Sequence, residues 1–322
     1  MSILNPLRAY ARLKRRGILC MNSRNSLYIS RYNPRHLYPL VDDKLKTKEM
    51  ALAANVNVPN LIGVVHNQFE VRLLSTLLKG VSGFCVKPAK GSGGKGILVI
   101  KGRNEQGQYI KSNGVALDVS TVERHVSNIL AGLFSLGGST DVAVIESLIE
   151  VDESFLGFTY EGVPDLRVIV FQGFPVMAMM RLSCSVSHGK ANLHQGAVGV
   201  GVDIASGQSV RAVQFGKSIL VHPDTKCVLK ELVVPQWKSM LELASSCYDM
   251  CGLGYLGVDL VLDRVKGPLL LELNARPGLS IQLANNSGLL PRLNHVENLE
   301  QIPSYSNKCR VEHAQLTMSA LG

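Results

Sequence analysis

The chain lacks the features of a membrane-spanning or secreted protein. None of its apolar runs approaches the roughly 20 residues that a spanning helix needs, and the arginine-bearing N-terminus has neither a long apolar stretch nor a clear cleavage site, so no signal peptide is expected. Its seven cysteines are scattered, odd in number and form no CxxC pair, which is typical of reduced thiols. These absences predict a cytoplasmic protein, and 46% hydrophobic against 18% charged residues predict a globular one.

Acidic residues are missing from the first 40 positions, which contain eight Lys and Arg. The rest of the chain has 26 basic and 25 acidic residues, so the net charge of +9 comes from a basic N-terminal arm, residues 1–40. At helical spacing, basic and apolar residues of the arm fall on different sides: Arg8, Arg12, Arg15 and Arg16 against Ile3, Leu7 and Tyr10. Such a helix suits an anionic membrane surface or a partner protein, or packs on its own domain, and these interpretations stay open. Because no aromatic residues alternate with the basic ones in a stacking pattern, nucleic acid is not an expected partner.

Helix and strand patterns follow one another without a regular βαβ repeat, which predicts an α+β fold with mixed or antiparallel sheets. Helices are predicted over residues 43–54, 67–80, 120–137 and from 235 onward. The first is expected to be capped by Asp42 or Asp43, and the third to open with a capping box of Ser120 and Glu123. Strands are predicted at residues 84–88, 97–101, 109–111, 142–147, 166–171, 176–182 and 197–202.

Two carboxylates are expected to face each other across a hairpin. The flanks around Asp259 and Glu272 are apolar and strand-like, with a turn between them. If Leu262 pairs with Leu269, Asp259 lies directly opposite Glu272, and period two places Asn274 on the same face. Like charges opposite each other on a sheet repel, and Mg²⁺ prefers oxygen ligands of this kind. We therefore interpret the three side chains as a metal site, with a solvated hairpin as the alternative.

A glycine-rich loop joins two of the predicted strands. It contains Gly91, Ser92, Gly93, Gly94 and Gly96. Its GxGxxG spacing does not indicate a Rossmann loop, because a strand follows where a helix must begin. Lys95 is followed by glycine rather than Ser or Thr, which excludes a Walker loop. Glycines let backbone N–H groups approach phosphate oxygens, and Lys87 precedes the loop, so the segment predicts phosphate binding rather than an ordinary flexible hairpin.

The loop and the hairpin, in this order, resemble the ATP-grasp superfamily of carboxylate–amine ligases, and within it the RimK-type α-L-glutamate ligases and their relatives in Proteobacteria. The resemblance covers residues 40–300 and implies an ATP-grasp fold, in which two α+β subdomains clasp ATP. It implies ATP and Mg²⁺ (or Mn²⁺) as cofactors and leaves a homo-oligomer open. The implied domains are the arm 1–40, a core of 41–80 and 141–300, a lid of 81–140 that closes on ATP, and a tail of 301–322. Unlike RimK-type enzymes, the chain has only a shortened basic segment before the core.

The residues that match the family's motifs are the ones that the resemblance implies as contacts to the nucleotide and the metal. Lys44, Lys87 and the glycine loop would contact the nucleotide phosphates. The segment 145–150 matches the hinge that holds adenine, and the implied nucleotide contacts around it are Glu146, Ser147, Leu148, Glu150 and Glu153. Residues 165–167 and 192–196 match two further motifs. Asp259, Glu272 and Asn274 match the metal ligands.

The resemblance implies that a carboxylate takes the γ-phosphate of ATP and that an amine then attacks the acyl phosphate. Arg167 and Arg181, on successive predicted strands, are spaced to reach one centre and suit that acyl phosphate. His194 is a candidate base or substrate contact, Asn192 a substrate contact, and Arg276 a contact for a substrate carboxylate. Surface salt bridging is the alternative for the arginines, and simple exposure the alternative for His194.

The resemblance suggests glutamate or a peptide ending in an acidic residue as the carboxylate substrate, with an amino acid as the amine. Two other functions stay open. One is a nucleotide-binding protein without catalysis, or one that needs a partner protein. The other is a small-molecule kinase on the same fold, which would release a phosphorylated product instead of an amide and phosphate.

Overall fold

The computed structural model describes residues 6–91, 93–300 and 304–321, without the side chains of residues 6, 7, 9, 10 and 136. Contacts divide the chain into two compact units, residues 1–41 with 151–322 and residues 42–150, which we call the large and the small unit. Residues 42–80, predicted above to belong with the core, share the small unit with the predicted lid. The division into core and lid stays a prediction.

The helices and strands have the following bounds. The α-helices are α1 (Pro6–Arg15), α2 (Met21–Ser23), α3 (Ser30–Tyr32), α4 (Pro39–Asp42), α5 (Lys44–Ala53), α6 (Gln68–Val71), α7 (Leu74–Leu77), α8 (Val119–Leu130), α9 (Trp237–Cys251), α10 (Ile281–Asn285), α11 (Leu290–Glu297) and α12 (Asn307–Thr317). The strands are β1 (Leu61–Val65), β2 (Phe84–Pro88), β3 (Leu98–Arg103), β4 (Tyr109–Lys111), β5 (Ala116–Leu117), β6 (Ala143–Ser147), β7 (Asp165–Phe171), β8 (Phe174–Leu182), β9 (Val198–Val202), β10 (Ser209–Gln214), β11 (Lys217–Ile219), β12 (Tyr255–Asp263) and β13 (Gly267–Asn274). A π-helix spans Arg24–Ile29, and short 3₁₀ helices include Glu153–Phe155 and Leu193–Gln195. None of the helices within these described residues is both long and apolar enough to cross a bilayer.

The strands of the small unit form an antiparallel sheet in the order β1-β6-β2-β3-β4-β5. Helix α8 contributes Val122, Val126 and Ile129 to a buried cluster with Phe84 and Ile145 of the sheet. The three helix residues recur at the spacing of one apolar face, so burial of that face holds α8 in the unit. The strand after the glycine loop is confirmed, because β2 and β3 pair as a hairpin around it.

Of the three predicted helices of the small unit, one has its cap as predicted and two differ from the prediction. Asp43 caps α5 by accepting hydrogen bonds from the N–H groups of residues 45 and 46, as one of the two alternatives predicted. Helix α8 follows Asp118 rather than a cap at Ser120, and it ends at Leu130, before the predicted end. The predicted helix over 67–80 is interrupted: Asn67 caps α6, and α7 begins after a short turn.

The strands of the large unit form an antiparallel sheet in the order β11-β10-β9-β8-β7-β12-β13. Strands β7, β8 and β12 are buried along almost their whole length, because α9 and α12 pack beside the sheet. Helix α9 buries Trp237, Met240 and Leu241 and ends at Gly252, whose φ of 70° suits a glycine C-cap. The two antiparallel sheets with their helices confirm the α+β class.

Much of the predicted N-terminal arm is packed within the large unit. Leu19 and Tyr28 are buried, and the Tyr28 ring meets Phe171 edge-on at 5.5 Å between ring centroids. The Asn33 amide donates to the carbonyl of Tyr255 at 2.8 Å, and its oxygen accepts from the Tyr255 N–H at 2.8 Å. The described side chains of α1, in contrast, are all exposed. The positive charge of the arm is therefore carried partly by a packed segment and partly by an exposed helix.

Candidate functional site

The carboxylate hairpin of β12 and β13 places Asp259 directly opposite Glu272, as predicted. The pair assumed to set this register is wrong, because Leu262 lies opposite Pro268 rather than Leu269. The register shifts between Asp259 and Leu260, where β13 contains one extra residue. This bulge, which sets two residues of one strand against one of the other, restores the opposition of the two carboxylates.

Two arginines converge on the Asp259 carboxylate. Arg167 lies opposite Asp259 on β7, and its Nε and Nη2 both donate to the carboxylate, Nη2 at 2.7 Å from Oδ2. Arg181, on β8, places Nη2 at 2.8 Å from the same Oδ2. The Asn274 amide lies 3.4 Å from that oxygen. Both arginines thus contact one carboxylate, and they are largely buried, with side chains 12% and 14% exposed. Their catalytic role stays a prediction.

A second carboxylate, Asp165, completes the buried charge cluster. The Nε of Arg181 pairs with Asp165, which lies opposite it in the sheet. Burial raises the pKa of Asp165 to about 6, against the opposing effect of Arg181. Burial also opposes ionisation of Asp259, but Arg167 and Arg181 outweigh it and lower its pKa to about 2. The structure therefore favours an ionised Asp259 held between two cations.

The side chains on this sheet face suit a hard divalent cation. Asp259 and Glu272 supply carboxylate oxygens, and Asn274 supplies an amide oxygen, which is the donor set that Mg²⁺ prefers. The arginines bind part of the Asp259 carboxylate. Its Oδ1 accepts a hydrogen bond from Arg167 but has a second lone pair, which can bind a metal ion. Within the described residues no cluster of three or more His, Cys, Asp or Glu side chains forms a metal site. The fit therefore depends on the amide together with the two carboxylates.

The other predicted substrate residues lie in loops of the large unit. Asn192 accepts a hydrogen bond from the His194 N–H at 3.0 Å, which fixes the 3₁₀ turn of residues 193–195. The His194 side chain is exposed, and in the described part of the chain no hydrogen bond joins it to Asp259 or the arginines. Arg276 is exposed and lies over the Tyr38 ring at 5.2 Å from its centroid. Their substrate roles stay predictions.

The glycine loop of the small unit is tied to helix α5. The Lys44 ammonium donates to the Gly91 carbonyl at 2.6 Å, and the Lys44 N–H donates to the Ala89 carbonyl at 2.8 Å. Positive φ angles occur at Gly93, Gly94 and Gly96, at 63°, 72° and 75°. Such angles strain residues that have a Cβ, so the glycines are required by the backbone itself. The predicted contact Ser92 lies outside the described residues.

A buried lysine pair shares the Glu146 carboxylate. Lys87 Nζ lies 2.5 Å from one carboxylate oxygen and Lys48 Nζ lies 2.7 Å from the other. All three side chains are nearly buried, with 4% to 11% of each exposed. Lys48 was not predicted, although its position one helical turn after Lys44 was a usable signal. Glu146, predicted as an adenine contact, therefore has two lysines as its neighbours.

The predicted hinge follows β6. The Ser147 N–H donates to the Asn60 carbonyl at 2.9 Å, so this amide is used within the small unit. Leu148 packs against Gly83, where a Cβ would lie 2.6 Å from its Cδ1. Glu150 ends the small unit. Glu153 belongs to the large unit, where it is exposed and lies 3.6 Å from Arg264.

Comparisons with known proteins find one curated relative and several solved structures that are similar to this chain. A probable alpha-L-glutamate ligase from Aeromonas salmonicida (strain A449) is 26% identical over 170 residues, which are 52% of this chain and 45% of that protein. Among solved structures, the ATP-grasp ligase PsnB complexed with minimal precursor has a TM-score of 0.44 at 14% identity, over 89% of this chain and 63% of that one. D-alanine–D-alanine ligase from Bacillus anthracis has a TM-score of 0.43 at 14% identity, over 87% of this chain and 68% of that one. The chain thus spans less than half of the curated relative and less than two thirds of PsnB.

A family model covers most of the chain. The model of the sugar-transfer associated ATP-grasp family matches residues 23–298, a range that contains the glycine loop, both lysine contacts and the carboxylate hairpin. The family match confirms the resemblance to the ATP-grasp superfamily that the glycine loop and the carboxylate hairpin predicted. The chain belongs to the sugar-transfer associated ATP-grasp family.

Proposed function

We propose that this protein is an ATP-dependent ligase that joins a carboxylate to an amine through an acyl phosphate. The observation that carries the proposal is the pair of ion pairs that Arg167 and Arg181 form with Asp259. Glu272 and Asn274 lie beside this carboxylate on the same sheet face. A buried ion cluster contributes little net stability compared with apolar side chains, because its charges lose their hydration. A sheet face of this composition is better suited to anion and metal chemistry than to holding the fold.

Each side chain of the cluster has a distinct proposed role. Asp259, Glu272 and Asn274 would hold Mg²⁺, which would neutralise charge on the ATP phosphates. Arg167 and Arg181 would orient the substrate carboxylate, because the planar guanidinium fork matches carboxylate oxygens. The same fork matches phosphate oxygens, so these two side chains also suit the acyl phosphate. Asp165 would position Arg181 through their ion pair.

The small unit would contribute nucleotide contacts. Lys87 and the glycine loop, with Lys44 tied to it, would bind phosphate oxygens through an ammonium group and backbone N–H groups. Glu146, held between Lys48 and Lys87, would position Lys87 rather than bind the adenine amino group. The adenine and ribose contacts would then come from the hinge backbone, with Glu150 and Glu153 as side-chain candidates.

The proposed substrate pair is supported by the chemistry of the site and by the curated relative. A ligase related to a probable alpha-L-glutamate ligase is proposed to use glutamate or an acidic peptide with an amino-acid amine. Because the family is described as sugar-transfer associated, we add sugar carboxylates to the acids to be tested. His194, Asn192 and Arg276 are the proposed substrate contacts of the large unit.

The test is phosphate release from Mg-ATP with a panel of amino acids, short acidic peptides and uronic acids, with product analysis. We expect release that needs one acid–amine pair, yields an amide and ADP, and is lost in Glu272→Gln. The matched control Glu105→Gln changes an exposed glutamate in a turn of the small unit and should keep full activity. A phosphorylated product without an amide would instead establish a kinase, and tight ATP binding without turnover of any pair would establish a non-catalytic or partner-dependent protein.

A further inference from the structure

Helix α1 presents a set of cations that the rest of the chain does not use. Its described side chains and that of the following residue are exposed, and they include Arg8, Arg12, Lys14, Arg15 and Arg16. In the described part of the chain none of these five side chains has a hydrogen-bond or ion-pair partner. No acidic residue lies in the helix to balance them. The cations are therefore available to a partner outside the chain.

The arginines that follow α1 behave differently. Arg24 donates to the Pro277 carbonyl at 2.6 Å, and Arg31 lies 3.4 Å from Glu297. The chain is anchored from Gly17 onward, where the Gly17 carbonyl accepts from the Leu290 N–H at 3.0 Å. A Cβ at Gly17 would lie 2.4 Å from the Pro291 ring, so the approach is close. The described side chains of α1 are thus exposed, and the helix joins the packed part of the large unit at Gly17.

The sequence of α1 is amphipathic as well as basic. At about 100° per residue, Arg8, Arg12 and Arg15 cluster on one side of the helix. Leu7 and Leu13 lie on the other side, about 120° apart, with Lys14 between them. Leu13 is 48% exposed, so the described part of the large unit leaves this leucine uncovered. An exposed leucine on the apolar side of a helix, with unpaired cations on the other side, is the pattern of a helix that lies in the membrane interface.

We propose that α1 docks the protein on an anionic lipid bilayer. The cations would bind the anionic headgroups, and the apolar side would enter the boundary of the acyl chains. Nucleic acid would satisfy the cations but leave the apolar side in water, so the apolar side distinguishes the two partners. The remaining chain, with 26 basic and 25 acidic residues, offers little net attraction of its own. This inference does not depend on the ligase activity.

The test measures co-sedimentation of the full chain with phosphatidylcholine vesicles, with and without phosphatidylglycerol. We expect binding only when phosphatidylglycerol is present. A charge variant, with Arg8, Arg12, Arg15 and Arg16 all changed to Gln, should bind at least ~10-fold more weakly. An apolar variant, Leu7→Gln with Leu13→Gln, keeps every charge and should also bind at least ~10-fold more weakly, because the apolar side no longer enters the bilayer. A matched control variant removes four exposed cations elsewhere in the chain by changing them to Gln, and it should bind the vesicles as tightly as the wild type: Arg72, Lys79, Lys101 and Lys230.

Thermal unfolding of each variant checks that the fold is intact, which exposure of α1 predicts. The proposal is overturned if the full chain does not bind the anionic vesicles, or if the charge variant binds as tightly as the control. It is also overturned if the apolar variant keeps its vesicle binding while a single-stranded RNA oligomer competes with the vesicles for the full chain, which would assign α1 to nucleic acid.

Discussion

Glu272 lies directly opposite Asp259, although the outer half of their hairpin is paired one residue out of step with that contact. Side chains alternate between the faces of a strand, so a one-residue slip would place Glu272 on the other face of the sheet. The extra residue of β13, Leu271, absorbs the slip in a bulge and keeps both carboxylates on one face. The bulge is therefore part of how the candidate metal site is built.

The two facing carboxylates should differ in their effect on stability. Asp259→Asn leaves Arg167 and Arg181 without their shared anion, so we expect the free energy of unfolding to fall by about 3 to 5 kcal/mol. Glu272→Gln removes a like charge opposite Asp259, so we expect a change below about 1 kcal/mol. Urea unfolding followed by circular dichroism measures both. Equal losses in the two variants would contradict the arginine grip on Asp259.

The lysine pair of the small unit should separate stability from nucleotide binding. Glu146→Gln leaves two buried ammonium groups without an anion, so a loss of about 3 to 5 kcal/mol in unfolding free energy is expected. Lys87→Met should weaken ATP binding at least ~10-fold, since it removes a proposed phosphate contact. Lys48→Met removes the same charge and serves as the matched control, with a smaller effect on ATP affinity. Isothermal titration calorimetry measures the ATP affinity of both lysine variants. Equal affinities would argue against a direct contact between Lys87 and the ATP phosphates.

His222 should make the protein less stable in mild acid. Its ring is fully buried, Nε2 lies 3.1 Å from the Ser183 carbonyl, and Nδ1 accepts from the N–H groups of Asp224 and Thr225. Burial lowers the pKa of His222 below its usual 6.5, so the unfolded chain takes up the proton first. The stabilising contribution is present above about pH 6.5 and is lost as the pH falls through the folded pKa, by about 1.4 kcal/mol per unit of difference.

The measurement for this group is the unfolding free energy between about pH 7.5 and pH 5, across the usual histidine pKa. The wild type should lose stability over that range, and His222→Gln should show a shallower slope. His66→Gln changes an exposed histidine and should keep the slope of the wild type. A slope that the His222 variant leaves unchanged would show that another group titrates.

The Cys20 thiol should be more reactive than the thiols of Cys85 and Cys247. It is exposed, and a hydrogen bond with the Ser23 hydroxyl at 3.1 Å lowers its pKa. Burial raises the pKa of Cys85 to about 11 and that of Cys247 well above its usual value. Because the thiolate is the nucleophile, iodoacetamide should label Cys20 at least ~10-fold faster than Cys85 or Cys247. Peptide mass spectrometry gives the rates.

The same experiment tests the cause. Ser23→Ala should slow the labelling of Cys20, whereas Ser26→Ala, a matched change whose hydroxyl bonds to the Asn22 carbonyl, should not. Labelling of Cys85 or Cys247 at the rate of Cys20 would contradict the raised pKa of these two thiols.

Local sequence signals predicted much of the fold. Alternating apolar residues and turn residues located most of the strands, and the glycine loop was correctly placed between two of them. Capping chemistry succeeded at Asp43 but failed at Ser120, since the helix already begins after Asp118. A capping signature names residues able to start a helix, and packing of the buried face selects among them.

The sequence by itself determined that Glu272 and Asn274 share one face of a strand and that a glycine loop joins two strands, because alternation and turn chemistry are local properties. The bulge at Leu271, which no local signal predicted, sets Asp259 opposite Glu272 on that face. Only the tertiary structure decided which cation meets each carboxylate. Arg167 and Asp259 are 92 residues apart, and the pairing of Lys48 with Glu146 likewise joins distant segments. Such contacts depend on which strands and helices become neighbours, and the burial that raises or lowers each pKa exists only after those neighbours have packed.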